Sequence, residues 1–288
     1  MRTYLPEFDV VSPRTLDEAL RVLSQNPPPT PLAGGTDLMV LMNAGQLKPG
    51  AYLNLHSISD LHRPIEEAGK EIVFSALTTY SEARRHPLVR RCLPMLGIAA
   101  REIGALQIQS RGTWAGNIVN ASPAADGVPA LMAYDTRVEL ASHSGTRTVN
   151  LCDFYLGYKK TVRRPDELIT AIRISIPADR RIEYYRKVGT RKFQAISKVL
   201  LAGVIVLEGR RVEKIRLVFA SVMPFTYRAR QTESILQGRD IDSGLIAEAL
   251  DVLKQELNPI DDIRSTARYR LGVAARLFEE FLQKARMK

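Results

Sequence analysis

The feature that most restricts this chain is a pair of glycine-bearing loops, each placed near the start of a helix. They are Ala33-Gly34-Gly35-Thr36-Asp37 and Gly112-Thr113-Trp114-Ala115-Gly116-Asn117. Glycine lets a backbone adopt positive φ and come close to another group. The N–H groups of such a turn can then point at phosphate oxygens. Neither loop has the Gly-x-Gly-x-x-Gly spacing of a Rossmann unit, and no Gly-x-x-x-x-Gly-Lys-Ser/Thr occurs. A Rossmann nicotinamide site and P-loop nucleotide hydrolysis are both disfavoured. Either loop alone reads as a plain turn. Two of them, one per subdomain, could grip the two phosphates of a dinucleotide from opposite sides.

The surrounding segments set the topology. Thr15-Leu16-Asp17-Glu18 is a capping box, and Leu16, Ala19, Leu20 and Leu23 recur at helical spacing, so a helix is expected to about Gln25. The prolines from Pro27 to Pro31 end it. Leu32-Ala33 enters the first loop, Leu38 to Ala44 reads as a short helix, and Ala51 to Leu55 as a strand, giving a parallel strand–loop–helix–strand unit. Further on, Ile72 to Ala76, Val138 to Ala141 and Leu168 to Ile176 read as strands, and Leu88 to Ile103 as a helix. Ala105 to Ser122 is glycine- and polar-rich, and Ser122-Pro123 reads as the start of a helix reaching Tyr134.

After Pro177 the pattern changes. Glu183 to Val188, Ser197 to Glu208 and Arg211 to Ser221 read as strands, the last two joined as a hairpin at Gly209-Arg210. Phe225 to Leu236, Ser243 to Leu257 and Thr266 to Lys284 read as helices, with Asp261-Asp262 capping the turn before the last. Strands followed by a run of helices argue for a separate domain. The expected architecture is α+β: two α/β subdomains, 1–57 and 58–177, and a C-terminal domain, 178–288, of a three-stranded antiparallel sheet with helices.

The net charge of +10 admits nucleic acid, an anionic membrane surface, or an anionic ligand or protein as partner. The basic residues alternate with apolar ones, as in Lys214-Ile215-Arg216-Leu217, and Phe193 is the lone aromatic in a basic stretch. Nucleic-acid binding is therefore disfavoured. Two cysteines, Cys92 and Cys152, with no Cys-x-x-Cys, argue against a cluster or zinc site held by this chain alone, and fit a reducing compartment. Cys92 reads as core. Met1 to Glu7 lacks the apolar run of a signal peptide, and Val199 to Leu207 is too short to span a membrane. A cytoplasmic protein with no membrane span is expected. His56, His62, His86 and His143 show no metal-ligand spacing and read as surface or capping residues.

Leu32 to Leu38 resembles the first FAD loop of the flavoprotein subunits of xanthine dehydrogenase and carbon monoxide dehydrogenase. These are the FAD-binding medium subunits of the molybdenum hydroxylase family. Gln107 to Ile118 resembles their second loop, and Asn120 to Asp126 and Pro129-Ala130-Leu131 continue in register. Tyr185-x-Lys187 and Arg191 resemble the start of their C-terminal domain. The likeness spans essentially the whole chain. It implies an FAD-binding fold of the vanillyl-alcohol-oxidase type, with FAD held between the two α/β subdomains. It also implies two partners, a large molybdopterin subunit and a small subunit with two [2Fe–2S] clusters, in a dimer of heterotrimers. Electrons would then pass from molybdenum through the clusters to FAD, and on to NAD or another acceptor.

The resemblance further implies FAD contacts from Ala33, Gly34, Gly35, Thr36, Asp37 and Leu38, from Thr113, Gly116 and Asn117, and from Asp126, Ile169 and Lys187. Thr36 would offer its hydroxyl as well as its N–H to the pyrophosphate. Asp37, repelled by phosphate, is expected to give its N–H and to cap a helix with its side chain. Ile169 is expected to pack near the isoalloxazine. The sequence departs from the family at Ala115, usually glycine, and at Trp114, usually a smaller aliphatic. Alanine at that site demands negative φ or mild strain. No catalytic residue is expected in the chain. The alternatives are a free-standing flavin oxidase, for which no acid or base can be named, and the flavoprotein subunit of an aryl-CoA reductase.

Overall fold

The structure is a computed structural model that describes residues 8–47, 49–177, 180–192 and 194–287. The readings of Met1 to Glu7 and of Phe193 lie outside these. Strand β1 (Phe8–Val11), helix α1 (Leu16–Leu23), β2 (Thr30–Leu32), α2 (Leu38–Asn43) and β3 (Gly50–Asn54) open the chain. The capping box forms as expected: the Thr15 side chain accepts from the Glu18 N–H and the Glu18 carboxylate reaches back. The three strands make a parallel sheet in the order β1-β3-β2.

Next come β4 (Glu66–Ala68), β5 (Glu71–Ser75) and six helices: α3 (Tyr80–Arg85), α4 (Pro87–Cys92), α5 (Pro94–Glu102), α6 (Leu106–Arg111), α7 (Trp114–Asn120) and α8 (Gly127–Ala133). They are followed by β6 (Thr136–Ser142), β7 (Gly145–Asn150), the small hairpin β8 (Tyr155–Gly157) and β9 (Lys160–Thr161), and β10 (Leu168–Ser175). The second sheet is antiparallel, in the order β4-β5-β10-β6-β7.

Two sequence expectations need correction here, and a segment that composition left unassigned takes shape. The stretch from Leu88 to Ile103 is two helices, because Pro94 cannot donate to a preceding turn and Leu93 before it leaves the helical region at φ −132°. The stretch from Ala105 to Ser122 holds α6 and α7, short helices fixed by distant partners: Tyr80 N–H donates to Gly112 O at 3.2 Å, and Trp114 N–H to Thr78 O at 3.1 Å. Helix α8 begins at Gly127 and not at Pro123, since Ser122 is spent on a turn in which its hydroxyl accepts from Ala124 N–H.

The C-terminal part contains β11 (Ile182–Val188), β12 (Val199–Glu208), β13 (Arg211–Ala220), β14 (Tyr227–Arg228), α9 (Arg230–Leu236), α10 (Ser243–Glu256) and α11 (Ala267–Arg286). The hairpin turns at Gly209, φ +60°. The sheet has four strands where three were expected. Tyr227 and Arg228, taken from the sequence as helix, pair with Phe219 and Val218, and Arg228 is drawn to Glu233 at 2.7 Å. Asp261 and Asp262 cap the turn before α11, Asp262 accepting from the N–H groups of Arg264 and Ser265 and pairing with Arg270 at 2.6 Å.

Strand alternation explains the apolar run from Val199. Leu200, Ala202 and Val204 face a core shared with α8 and the second sheet, while Val199, Leu201 and Ile205 face one shared with α10 and α11. Both faces are covered, so every position is apolar. Among the described residues no helix is long and apolar enough to cross a membrane. Gly203 lies where α11 crosses β12: a Cβ there would come within 2.6 Å of the Phe281 ring. Gly203→Ala is therefore expected to lose about 1–3 kcal/mol by overpacking, read from the urea midpoint. An unmoved midpoint would mean that α11 does not cross there.

Candidate cofactor site

The two glycine loops touch. A Cβ on Gly34 would sit 1.8 Å from the carbonyl oxygen of Arg111, so this glycine is where one loop's backbone lies against the other's. Gly35 takes φ +71°, which only glycine adopts cheaply. The N–H groups of Gly34, Gly35, Thr36 and Asp37 donate to no acceptor among the described residues. These half-exposed groups are therefore free to donate to a ligand. Asp37 takes helical φ/ψ and its side chain does not cap α2, contrary to the sequence expectation. Its Oδ1 instead accepts from Asn120 Nδ2 at 2.9 Å, and Asn120 Oδ1 accepts from Lys159 Nζ at 2.8 Å. The carboxylate is thereby turned toward the β8–β9 hairpin.

The second loop is held from below. Thr113 caps α7, its hydroxyl accepting from Gly116 N–H at 3.0 Å. Trp114 is wholly buried, edge-on to Tyr80 with ring centroids 5.1 Å apart. That explains the departure from a small aliphatic: the indole is core and points away from the cleft. Ala115 sits in the first turn of α7 with negative φ, so no strain arises there. A capping box, Thr79 with Glu82, starts α3 and fixes the backbone to which Tyr80 and Trp114 are bonded.

Between the loops lies a cleft of about 450 Å³. It gathers Ala33, Gly34, Gly35, Thr36, Asp37, Leu38, Thr113, Gly116, Asn117 and Ile169 in one place. Asn117 Oδ1 is buried beside it with no hydrogen-bond partner. Asp126 and Lys187 do not line this cleft. They pair with each other at 2.7 Å, and Lys187 also donates to Glu102 O at 2.9 Å. Both side chains are buried, and Asp126 Oδ1 has no partner. Burial pushes the Asp126 carboxyl up to about 6, outweighing the pull of Lys187. Tyr185 donates its hydroxyl to Asp126 O, so the strand β11 is pinned to the turn before α8.

Asp126 borders a second cavity of about 810 Å³, and Ile108 stands between the two, lining both. Sequence reasoning missed Tyr80, Ile103, Ile108, Asn120 and Arg163. Of these only Tyr80 had a local signal, the capping box before α3.

The residues fit FAD: open N–H groups for a pyrophosphate, an unpaired buried amide oxygen, and a cleft with a second cavity beside it across Ile108. Residues 6–178 match the family model of the FAD binding domain in molybdopterin dehydrogenase. Residues 183–285 match that of the CO dehydrogenase flavoprotein C-terminal domain. The chain belongs to the FAD-binding medium-subunit family of the molybdenum hydroxylases.

Within this family, the glyceraldehyde dehydrogenase medium chain of Sulfolobus acidocaldarius is 30% identical over 270 residues, 94% of this chain and 95% of that one. The carbon monoxide dehydrogenase medium chain of Hydrogenophaga pseudoflava is 28% identical over 281 residues, 97% of each. A solved structure of the latter organism's carbon monoxide dehydrogenase aligns with a TM-score of 0.93 over 99% of both chains. The family's members are oxidoreductase subunits that act within complexes, and the mixed α and β fold expected from the sequence is the one found.

Proposed function

We propose that this chain takes electrons from [2Fe–2S] clusters of a small partner subunit and passes them to NAD or another acceptor. A large molybdopterin subunit in the same complex, a dimer of heterotrimers, would oxidise the organic substrate. The observation that carries this reading is the cleft between two touching glycine loops, with open N–H groups on one wall and Asn117 Oδ1 on the other. Bound FAD would supply a redox centre able to take electrons singly and give them up as a pair.

Ala33 to Leu38, Thr113, Gly116 and Asn117 hold the cofactor's phosphates and nearby groups. Asp126, on the wall of the second cavity, and its partner Lys187 behind it fix the polarity beside the flavin ring. Ile169, expected from the sequence beside the isoalloxazine, is assigned here to the adenylate half, because it lines the cleft and not the second cavity. The domains are 1–57, 58–177 and 178–288, each built round one main sheet, in a reducing, cytoplasmic setting. Two cysteines cannot supply the eight thiolates of two clusters, so the clusters come from another chain. Tyr158, Ile196 and Ile260 stand exposed about the second cavity and suit the docking of that chain.

The reading is tested by expressing the chain alone and with its gene neighbours. Alone, it should oxidise no purine, aldehyde or carbon monoxide, while reducing dyes weakly with NADH. Together, the chains should co-purify with molybdenum, iron and FAD. Substrate turnover by the isolated, metal-free chain would sink the proposal and promote the free-standing oxidase.

A further inference from the structure

Arg163 belongs to neither glycine loop, yet it lines the cleft. Its Nη1 donates to three carbonyls, Arg164 O at 2.9 Å, Pro165 O at 3.4 Å and Glu167 O at 2.7 Å. These bonds fix the guanidinium plane against the turn that leads into β10. Its Nε and Nη2 are bonded to nothing among the described residues.

The buried carboxylate of the same turn is already engaged. Glu167 is paired with Arg147 at 2.7 Å and Arg164 at 3.2 Å, and accepts from Arg164 N–H at 2.6 Å. Burial lowers the Arg163 pKa, against the opposing charges of Glu167 and Asp166. A rigid, half-buried guanidinium with two free donors suits phosphate or sugar oxygens, or the face of a purine.

The position within the cleft tells which part of a dinucleotide it would meet. Ile108 also lines the second cavity, and Ile103 and Asn117 lie against Gly127, next to Asp126. That side leads toward the larger cavity, about 810 Å³ against about 450 Å³, which has the room for the isoalloxazine. Thr30, Pro31, Leu55, Arg163, Leu168 and Ile169 line the cleft and not the cavity. We propose that Arg163 recognises the adenylate half of FAD and makes the chain select FAD over FMN. This inference rests on the FAD reading of the cleft.

The test titrates the flavin-stripped full chain with FAD and with FMN, following flavin fluorescence, for the wild type, Arg163→Met and Arg163→Lys. Arg163→Met should weaken FAD binding on the order of tenfold to a hundredfold, the loss of charge-assisted hydrogen bonds. FMN, which lacks the adenylate, should bind all three alike, and Arg163→Lys should fall between the others for FAD. If FAD and FMN weaken together, Arg163 only braces the turn before β10 and the inference is overturned. Unchanged FAD binding in Arg163→Met overturns it as well. A wild-type chain that takes up no FAD fails differently: it removes the cofactor reading itself.

Discussion

Gly34→Val is expected to leave a folded chain that retains no flavin. The added Cβ would lie 1.8 Å from Arg111 O, 2.5 Å from Arg111 C and 3.0 Å from Gly112 N. All three are backbone atoms, so no side chain can swing away and the loops must part. Parting them separates the open N–H groups of Gly34 to Asp37 from Thr113, Gly116 and Asn117. The stability cost should be about 1–3 kcal/mol, as for other overpacked sites, while FAD affinity falls by at least about a hundredfold. Gly35→Ala makes a useful contrast. Its Cβ would have room, with Leu32 Cδ1 at 3.5 Å, and only the φ of +71° opposes it. That costs about 1–2 kcal/mol and should weaken flavin binding far less. Absorbance per chain after gel filtration, with circular dichroism for folding, separates the two. Full flavin content in Gly34→Val would mean that the loops do not meet as described.

Lys187→Met should be the most destabilising single change, by about 3–5 kcal/mol near neutral pH, because it leaves Asp126 buried and uncompensated. The pH dependence follows from the direction of the Asp126 shift. Its pKa in the folded chain, about 6, lies above the ordinary aspartate value. The folded state therefore binds the proton more tightly than the unfolded one. That contribution is complete at acid pH, below the unfolded value, and is lost as pH rises through about 6. Removing Lys187 raises the pKa further, so the loss deepens and extends to higher pH. Urea unfolding should show a large deficit for Lys187→Met at about pH 7.5 that shrinks toward about pH 5. Lys187→Met with Asp126→Asn removes the stranded charge and should recover most of the loss. A deficit independent of pH, with no recovery in the double variant, would mean that the pair is not buried as described.

The loops and their glycines were legible because their chemistry is local: glycine, threonine and asparagine at a turn announce a backbone that must bend or be approached. The helices α1, α10 and α11 were legible from apolar spacing and caps. The rest depended on distant partners. Helices α6 and α7 look like loop in the sequence, and it is bonds from Tyr80 and Trp114 to Gly112 and Thr78 that hold the segment between them. Lys159 reaches Asn120, and through it Asp37, only because the β8–β9 hairpin carries it there. Asp126 and Lys187 pair across two structural units, and no periodicity predicts which carboxylate meets which ammonium. Trp114 was legible as a departure, but its reason, packing on Tyr80 beneath the loop, was not.

The central claim is that the cleft between the two loops holds one FAD. Titrating the purified, flavin-free full chain with FAD, and following absorbance and fluorescence, tests it most directly. Binding should saturate at one FAD per chain, non-covalently, with all of the flavin released intact on acid unfolding. A chain that is folded by circular dichroism yet carries no flavin, and takes up none when FAD is added, would contradict the claim.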